Sequence, residues 1–109
     1  MQVQLLGEVT VVKLPARVDA ISAGEVETAF SEQIAGGARK LVADFTGTEY
    51  ISSAGLRVFL ATLKLLGKNE GRIVLCAMQP FIAEVFAISG FCDLFEIVGT
   101  LDEAVAALS

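Results

Sequence analysis

Val3 and Leu5 alternate with Gln2 and Gln4, and Val9, Val11 and Val12 follow after Gly7. Near-alternating spacing on both sides of a glycine predicts two short strands joined as a hairpin. From Val26 the period lengthens. Val26, Ala29, Phe30, Gln33 and Ile34 keep helical spacing, and Gly36-Gly37 supplies a stop. Ser22-Ala-Gly-Glu25 in front of this segment reads as a capping box. Leu41-Val42-Ala43 is apolar throughout and predicts a buried strand. From Ser53 to Lys68 the helical period returns, with Leu56, Phe59, Leu60, Leu63 and Leu66 on one stripe. Lys64 and Lys68 fall in its last turns, where cations complement the helix dipole. After Gly71, Ile73–Cys76 predicts a second buried strand. Pro80 suits the first turn of a helix carrying Ile82, Val85 and Phe86, which Gly90 ends. Leu94–Val98 predicts a last strand. Thr100-Leu-Asp-Glu103 repeats the capping pattern ahead of a helix through Leu108.

Two strands, then helices interleaved with strands, predict an α/β domain over residues 1–109. Its sheet is mixed and has four to five strands: a hairpin first, then crossovers that need parallel neighbours. About four helices pack mainly on one face. The two apolar strands are expected at the centre.

Composition narrows the chemistry. The chain has 54% hydrophobic and 19% charged residues, a net charge of −5 and no histidine. So apolar a chain folds. An acidic chain with no basic cluster is no nucleic-acid binder. Without histidine there is no Ser-His or Cys-His nucleophile pair and no imidazole metal ligand. Glycine-rich phosphate cradles are absent, so no cofactor is expected. Asp19, Asp44 and Glu49 have no metal-ligand spacing. No catalytic set remains, and the chain is not expected to be an enzyme. The longest uncharged run, Ile73–Ala83, falls well short of the ~20 residues a membrane span needs. The start of the chain carries no signal-peptide pattern. Cys76 and Cys92 read as two buried thiols in a reducing compartment, and the expected location is the cytoplasm.

One segment stands apart: Asp44-Phe-Thr-Gly-Thr-Glu-Tyr50-Ile-Ser-Ser-Ala-Gly-Leu56-Arg57. It leads from the carboxyl end of a strand into a helix, where open α/β sheets usually meet their ligands. Ser52 and Ser53 fall at the helix N-terminus, whose free N–H groups and dipole suit an anion. A phosphate on a serine there would be favoured, with Arg57 four residues past Ser53 on the same face. The simpler reading is that serine is a good N-cap anywhere. The simpler reading of Asp44 is a cap of its own loop.

The same segment, with Gly71-Arg-Ile-Val-Leu75 and Ile88-Ser-Gly-Phe-Cys-Asp-Leu-Phe-Glu-Ile97, resembles the STAS domain family. It is most similar to the bacterial anti-sigma factor antagonists, and the likeness runs over nearly the whole chain. The resemblance implies a partner switch. The unphosphorylated form would bind an anti-sigma factor that is also a GHKL-type serine kinase. Phosphorylation would release that partner, and a PP2C-type phosphatase would reset the switch. The family's turn reads Asp-Ser-Ser-Gly-Leu, with the phosphorylated serine after the Asp. On this chain the Asp position is Ser52, the phosphoserine position is Ser53, the second serine is Ala54, and Gly55 and Leu56 match. Losing the Asp makes Ser52 an alternative acceptor. The implied partner surface comprises Asp19, Ser52, Ala54, Gly55, Leu56 and Arg57. The departure at Ser52 also leaves a second reading: a STAS subunit that is never phosphorylated and acts as a constitutive interaction module in a transporter or signalling complex.

The surplus of apolar residues is more than one layer of helices on a sheet can hide. Part of it is expected at the Ser53 turn, where small Ala54 and Gly55 would let a partner come close.

Overall fold

Val11 and Val12 leave β2 on opposite sides, and each joins a different core. That division organises the molecule. The computed structural model describes residues 1–109. Strands β1 (Gln2–Leu6) and β2 (Val9–Lys13) form the antiparallel hairpin, with Gly7 at a positive φ of 63° in its turn. β2 is followed in chain order by β3 (Arg17–Val18), α1 (Ala23–Ala35), β4 (Lys40–Asp44), β5 (Tyr50–Ile51) and α2 (Ser53–Lys68). Then come β6 (Arg72–Cys76), α3 (Pro80–Ile88), β7 (Glu96–Val98) and α4 (Leu101–Leu108). The main sheet has the order β1-β2-β4-β6-β7, and every pair after the hairpin is parallel. The apolar strands β4 and β6 are central, as their composition predicts.

The larger core lies between the sheet and helices α1, α2 and α3. It takes Leu41, Ala43, Ile73 and Leu75 from the central strands. Phe59 of α2 is one of its hubs, with ring centroids 5.8 Å from Phe30, 5.5 Å from Phe45, 6.2 Å from Phe86 and 6.4 Å from Phe95. The pairs with Phe30, Phe86 and Phe95 are edge-to-face, a geometry that adds to the area they bury. The smaller core lies on the other face. There Val9, Val11, Val42, Val74 and Cys76 meet Ala104 and Leu108 of α4.

Several sequence expectations are corrected. The helices do pack mainly on one face, as expected, but α4 covers the second face of β4 and β6, so they are not a single layer. A strand apolar at every position has two faces to hide. The Ser22 capping box does not form. Ser22 itself has helical backbone (φ −92°, ψ −13°), and its side chain caps nothing. Its hydroxyl donates to the Arg17 carbonyl (2.7 Å) and accepts from the Asp19 N–H (3.0 Å). The Thr100 cap does form, with the Glu103 N–H donating to Oγ1 at 3.1 Å. The last strand is shorter than Leu94–Val98, because a 3₁₀ turn at Phe91–Asp93 precedes it. That turn directs Phe91 and Phe95 inward and leaves Cys92 exposed, so only Cys76 is a buried thiol. The two-residue strands β3 and β5 were not anticipated, and they build the site.

Candidate functional site

β3 and β5 pair in parallel, Arg17 beside Tyr50 and Val18 beside Ile51. The ladder continues at both ends. The Glu49 N–H donates to the Ala16 carbonyl (2.7 Å), and the Ser52 N–H donates to the Val18 carbonyl (2.9 Å). Upstream, the fully buried Thr48 donates its hydroxyl to the Pro15 carbonyl at 2.9 Å. The segment from Asp44 to the start of α2 is therefore stitched to the segment before α1. The turn after Val18 is held against the first turn of α2.

Ser52 is the N-cap of α2. Its backbone is extended, and its Oγ accepts the Gly55 N–H at 3.3 Å. Asp and Ser serve equally well at an N-cap, so this chain's departure from the family turn keeps the cap. Ser53 is the first residue of α2. It is exposed, and its hydroxyl has no hydrogen-bond partner in the chain. No acid lies in this first turn, so the positive end of a 16-residue helix is uncompensated. Arg57 is exposed one turn further on and belongs to none of the chain's ion pairs.

Ala54 and Leu56 are half-buried, and Leu56 packs on the large core. Gly55 is buried. A Cβ there would stand 2.5 Å from the Val18 carbonyl oxygen and 2.9 Å from the Ile51 and Val18 side chains. The room that Gly55 leaves is thus filled by this chain's own β3. That corrects the expectation that its smallness serves a partner's approach.

Asp19 stands on the neighbouring turn. Its Oδ1 accepts the N–H groups of Ile21 (3.0 Å) and Ser22 (3.2 Å), and its Oδ2 accepts from Arg17 Nε at 3.2 Å. The Ser22 N–H, above all, holds its carboxyl below the ordinary carboxylate range. The Ile21 N–H and Arg17 act in the same direction, against the cost of partial burial. The Arg17 guanidinium also lies 4.4 Å from the centre of the Tyr50 ring. Sequence reasoning missed Arg17, Tyr50 and Ile21. Arg17 and Tyr50 take their place from the short β3–β5 ladder and Ile21 from the turn after it, neither of which leaves periodicity to read.

Asp44 is buried at the end of β4 and caps its own loop. Its Oδ1 accepts from the Thr46 N–H (3.0 Å) and hydroxyl (2.5 Å). Asp19, Asp44 and Glu49 do not converge, and no three acidic or thiol side chains form a group anywhere in the chain. The largest cleft, about 570 Å³, lies between the β1–β2 turn and the end of α1. No cleft is lined by Ser52, Ser53 or Arg57. Small molecules are held in concave sites. The Ser53 hydroxyl stands instead on an exposed turn. No helix is long and apolar enough to cross a membrane.

Known proteins resemble this chain in sequence and fold. The "Putative anti-sigma factor antagonist BtrV" of Bordetella bronchiseptica is 40% identical over 90 residues, which is 83% of this chain and 78% of that protein. The crystal structure of an anti-sigma factor antagonist from Mycobacterium paratuberculosis superimposes with a TM-score of 0.89 at 29% identity. That match covers 98% of this chain and 91% of the other. The Bacillus cell fate determinant SpoIIAA in its phosphorylated form has the same fold, with a TM-score of 0.78 at 22% identity over 99% of this chain and 98% of its own. The model of the STAS domain matches residues 1–104, and with the sheet order and the Ser52–Leu56 turn in place the chain belongs to the STAS domain family.

Proposed function

We propose that this protein is a phosphorylation-controlled anti-sigma factor antagonist and that Ser53 is its switch. The observation that carries the reading is the division of labour between the two serines. The Ser52 hydroxyl is occupied as the cap of α2, whereas Ser53 is exposed, unpartnered and at the helix N-terminus. The names of its relatives support the regulatory class, and one solved neighbour of the same fold is a phosphorylated form. In the unphosphorylated state the turn and the outer face of α2 bind a cognate anti-sigma factor, itself a GHKL-type serine kinase, in the cytoplasm. The surface includes Asp19, Ser52, Ala54, Leu56 and Arg57, with buried Gly55 shaping it from beneath. Phosphorylation adds about −1.5 to −2 charges at a contact surface. The α2 N-terminus and Arg57 favour that charge in the free protein. In the complex the charge would have to be desolvated, so the partner leaves. A PP2C-type phosphatase restores the binding form.

The departure at Ser52 motivated a constitutive, unphosphorylated reading, but it has a local cause in the shared capping ability of Asp and Ser. The test mixes the protein and ATP with each GHKL-type serine kinase of its own genome and maps the phosphate by mass spectrometry. Modification is expected at Ser53. Label at Ser52 alone would move the switch by one residue. Label at neither serine would reject the proposal.

A further inference from the structure

Ile21 is the most exposed large apolar residue of the chain, at 94% of its full accessible surface. A lone apolar side chain on a surface means little by itself. The setting of Ile21 is what gives it meaning. The turn that carries it is braced throughout. The Asp19 carboxylate accepts the N–H groups of Ile21 and Ser22, the Asp19 carbonyl accepts from the Ala23 N–H at 2.8 Å, and the Ser22 hydroxyl bridges Arg17 and Asp19. Ile21 is thus held outward by a rigid turn and does not hang from a slack loop. Its branched Cβ further limits its rotamers, so little freedom remains to be lost when it is buried by a partner. The turn is also tied to the switch. The Val18 carbonyl, one residue before Asp19, receives the Ser52 N–H and lies directly under Gly55. The Ile21 turn is thus tied through Val18 to the turn that carries Ser53.

We infer that Ile21 is a preformed apolar anchor of the switch surface, and that the anti-sigma kinase receives it in an apolar socket next to the site that reads Ser53. The inference rests on the proposed function and adds a specificity-determining residue to it. Burial of one aliphatic side chain at an interface corresponds to roughly a tenfold or greater gain in affinity.

The experiment uses the full chain and the purified GHKL-type kinase that phosphorylates it. Affinity is measured by calorimetry for the wild type, Ile21→Ser, Ile21→Met, Ser53→Asp and Ile88→Ser. Ile88, at the far end of α3 and 78% exposed, controls for the loss of any exposed isoleucine. Ile21→Ser should weaken binding about tenfold or more. Ile21→Met should recover most of that loss, and Ile88→Ser should bind as the wild type does. The Ile21→Ser penalty should also persist as salt is raised, because an apolar contact is not screened. Wild-type affinity in Ile21→Ser, with Ser53→Asp still weakened, overturns the anchor and leaves the switch standing. An equal loss in Ile88→Ser, or a penalty that vanishes in high salt, also overturns the anchor. If Ser53→Asp binds as the wild type does, the switch itself fails and the anchor with it.

Discussion

The Ser52 N–H donates to the Val18 carbonyl at 2.9 Å, and that same carbonyl oxygen would lie 2.5 Å from a Cβ on Gly55. One backbone oxygen therefore both aligns the Ser52–Leu56 turn and forbids a side chain three residues later. Gly55→Ala must push β3 away from α2, because the obstruction is backbone and cannot rotate aside. Its cost should be about 2 kcal/mol, within the usual range for overpacking. Gly67 lies in the same helix with open space where its Cβ would be. Gly67→Ala should stabilise by about 0.5–1 kcal/mol. Urea unfolding of both variants tests the pair, and equal shifts of one sign would contradict the close approach of Val18.

Ser52 acts through its side-chain oxygen, so its replacements should sort by capping ability. Ser52→Ala should lose about 1 kcal/mol of stability, and Ser52→Asp should lose little. If the two serines divide their tasks as described, Ser52→Asp should still be phosphorylated at Ser53. A Ser52→Ala protein with wild-type stability would show that the 3.3 Å bond to Gly55 does not cap the helix.

Phe59 packs against four other rings, as does Phe86. Truncating Phe59 removes a centre of the larger core while leaving the α4 face untouched. Phe59→Ala should cost about 3–5 kcal/mol. Leu108→Ala, in the smaller core, should cost about 2–5 kcal/mol. Additivity of the two in the double variant, read from unfolding curves, would confirm that the sheet separates the cores.

What the sequence made legible follows from how many residues announce each element. The leucine stripe of α2 and the unbroken apolar runs of β4 and β6 repeat a signal over several positions, and those elements stand where the pattern puts them. Ser53 could be singled out because it sits in a turn of recognisable composition. β3 and β5 have two residues each, too few for any period, so Arg17, Tyr50 and Ile21 could not be joined to the site. Ser22 looked like a cap because Ser-x-x-Glu is a local rule. A tertiary competitor, the Arg17 carbonyl, takes its hydroxyl instead. The cover on the second face was not read from the sequence, although Val42 and Val74 carry its signal: their side chains need a cover that α1–α3 cannot supply.

The two thiols should behave oppositely. Cys92 is exposed, whereas Cys76 is buried at the end of β6. Burial, helped by the negative charge of Asp44, pushes the Cys76 thiol up to about 12. In native protein at pH 8, iodoacetamide should modify one cysteine per chain, and peptide mapping should find it at Cys92. Cys76 should react only on unfolding. The folded thiol keeps its proton above the unfolded value of about 8.5. Its contribution to stability is complete below that pH and is lost as pH rises towards 12. Fast labelling of Cys76 in the native state would contradict its burial.

Asp19 sets the opposite pH dependence. Its carboxyl is held below the ordinary range, first by the Ser22 N–H and then by the Ile21 N–H and Arg17. A group depressed in the folded state stabilises above its unfolded value, about 3.9, and that stabilisation is lost as pH falls through the folded value. Asp19→Asn keeps an oxygen that can accept the two N–H groups but removes the charge. It should therefore be less stable than the wild type at pH 7, and the difference should shrink steadily below pH ~4. Urea unfolding at a series of pH values measures this directly. A gap between the two proteins that stays constant down to strong acid would mean that the charge of Asp19 does not hold the turn. The brace would then rest on the geometry of the carboxyl oxygen alone.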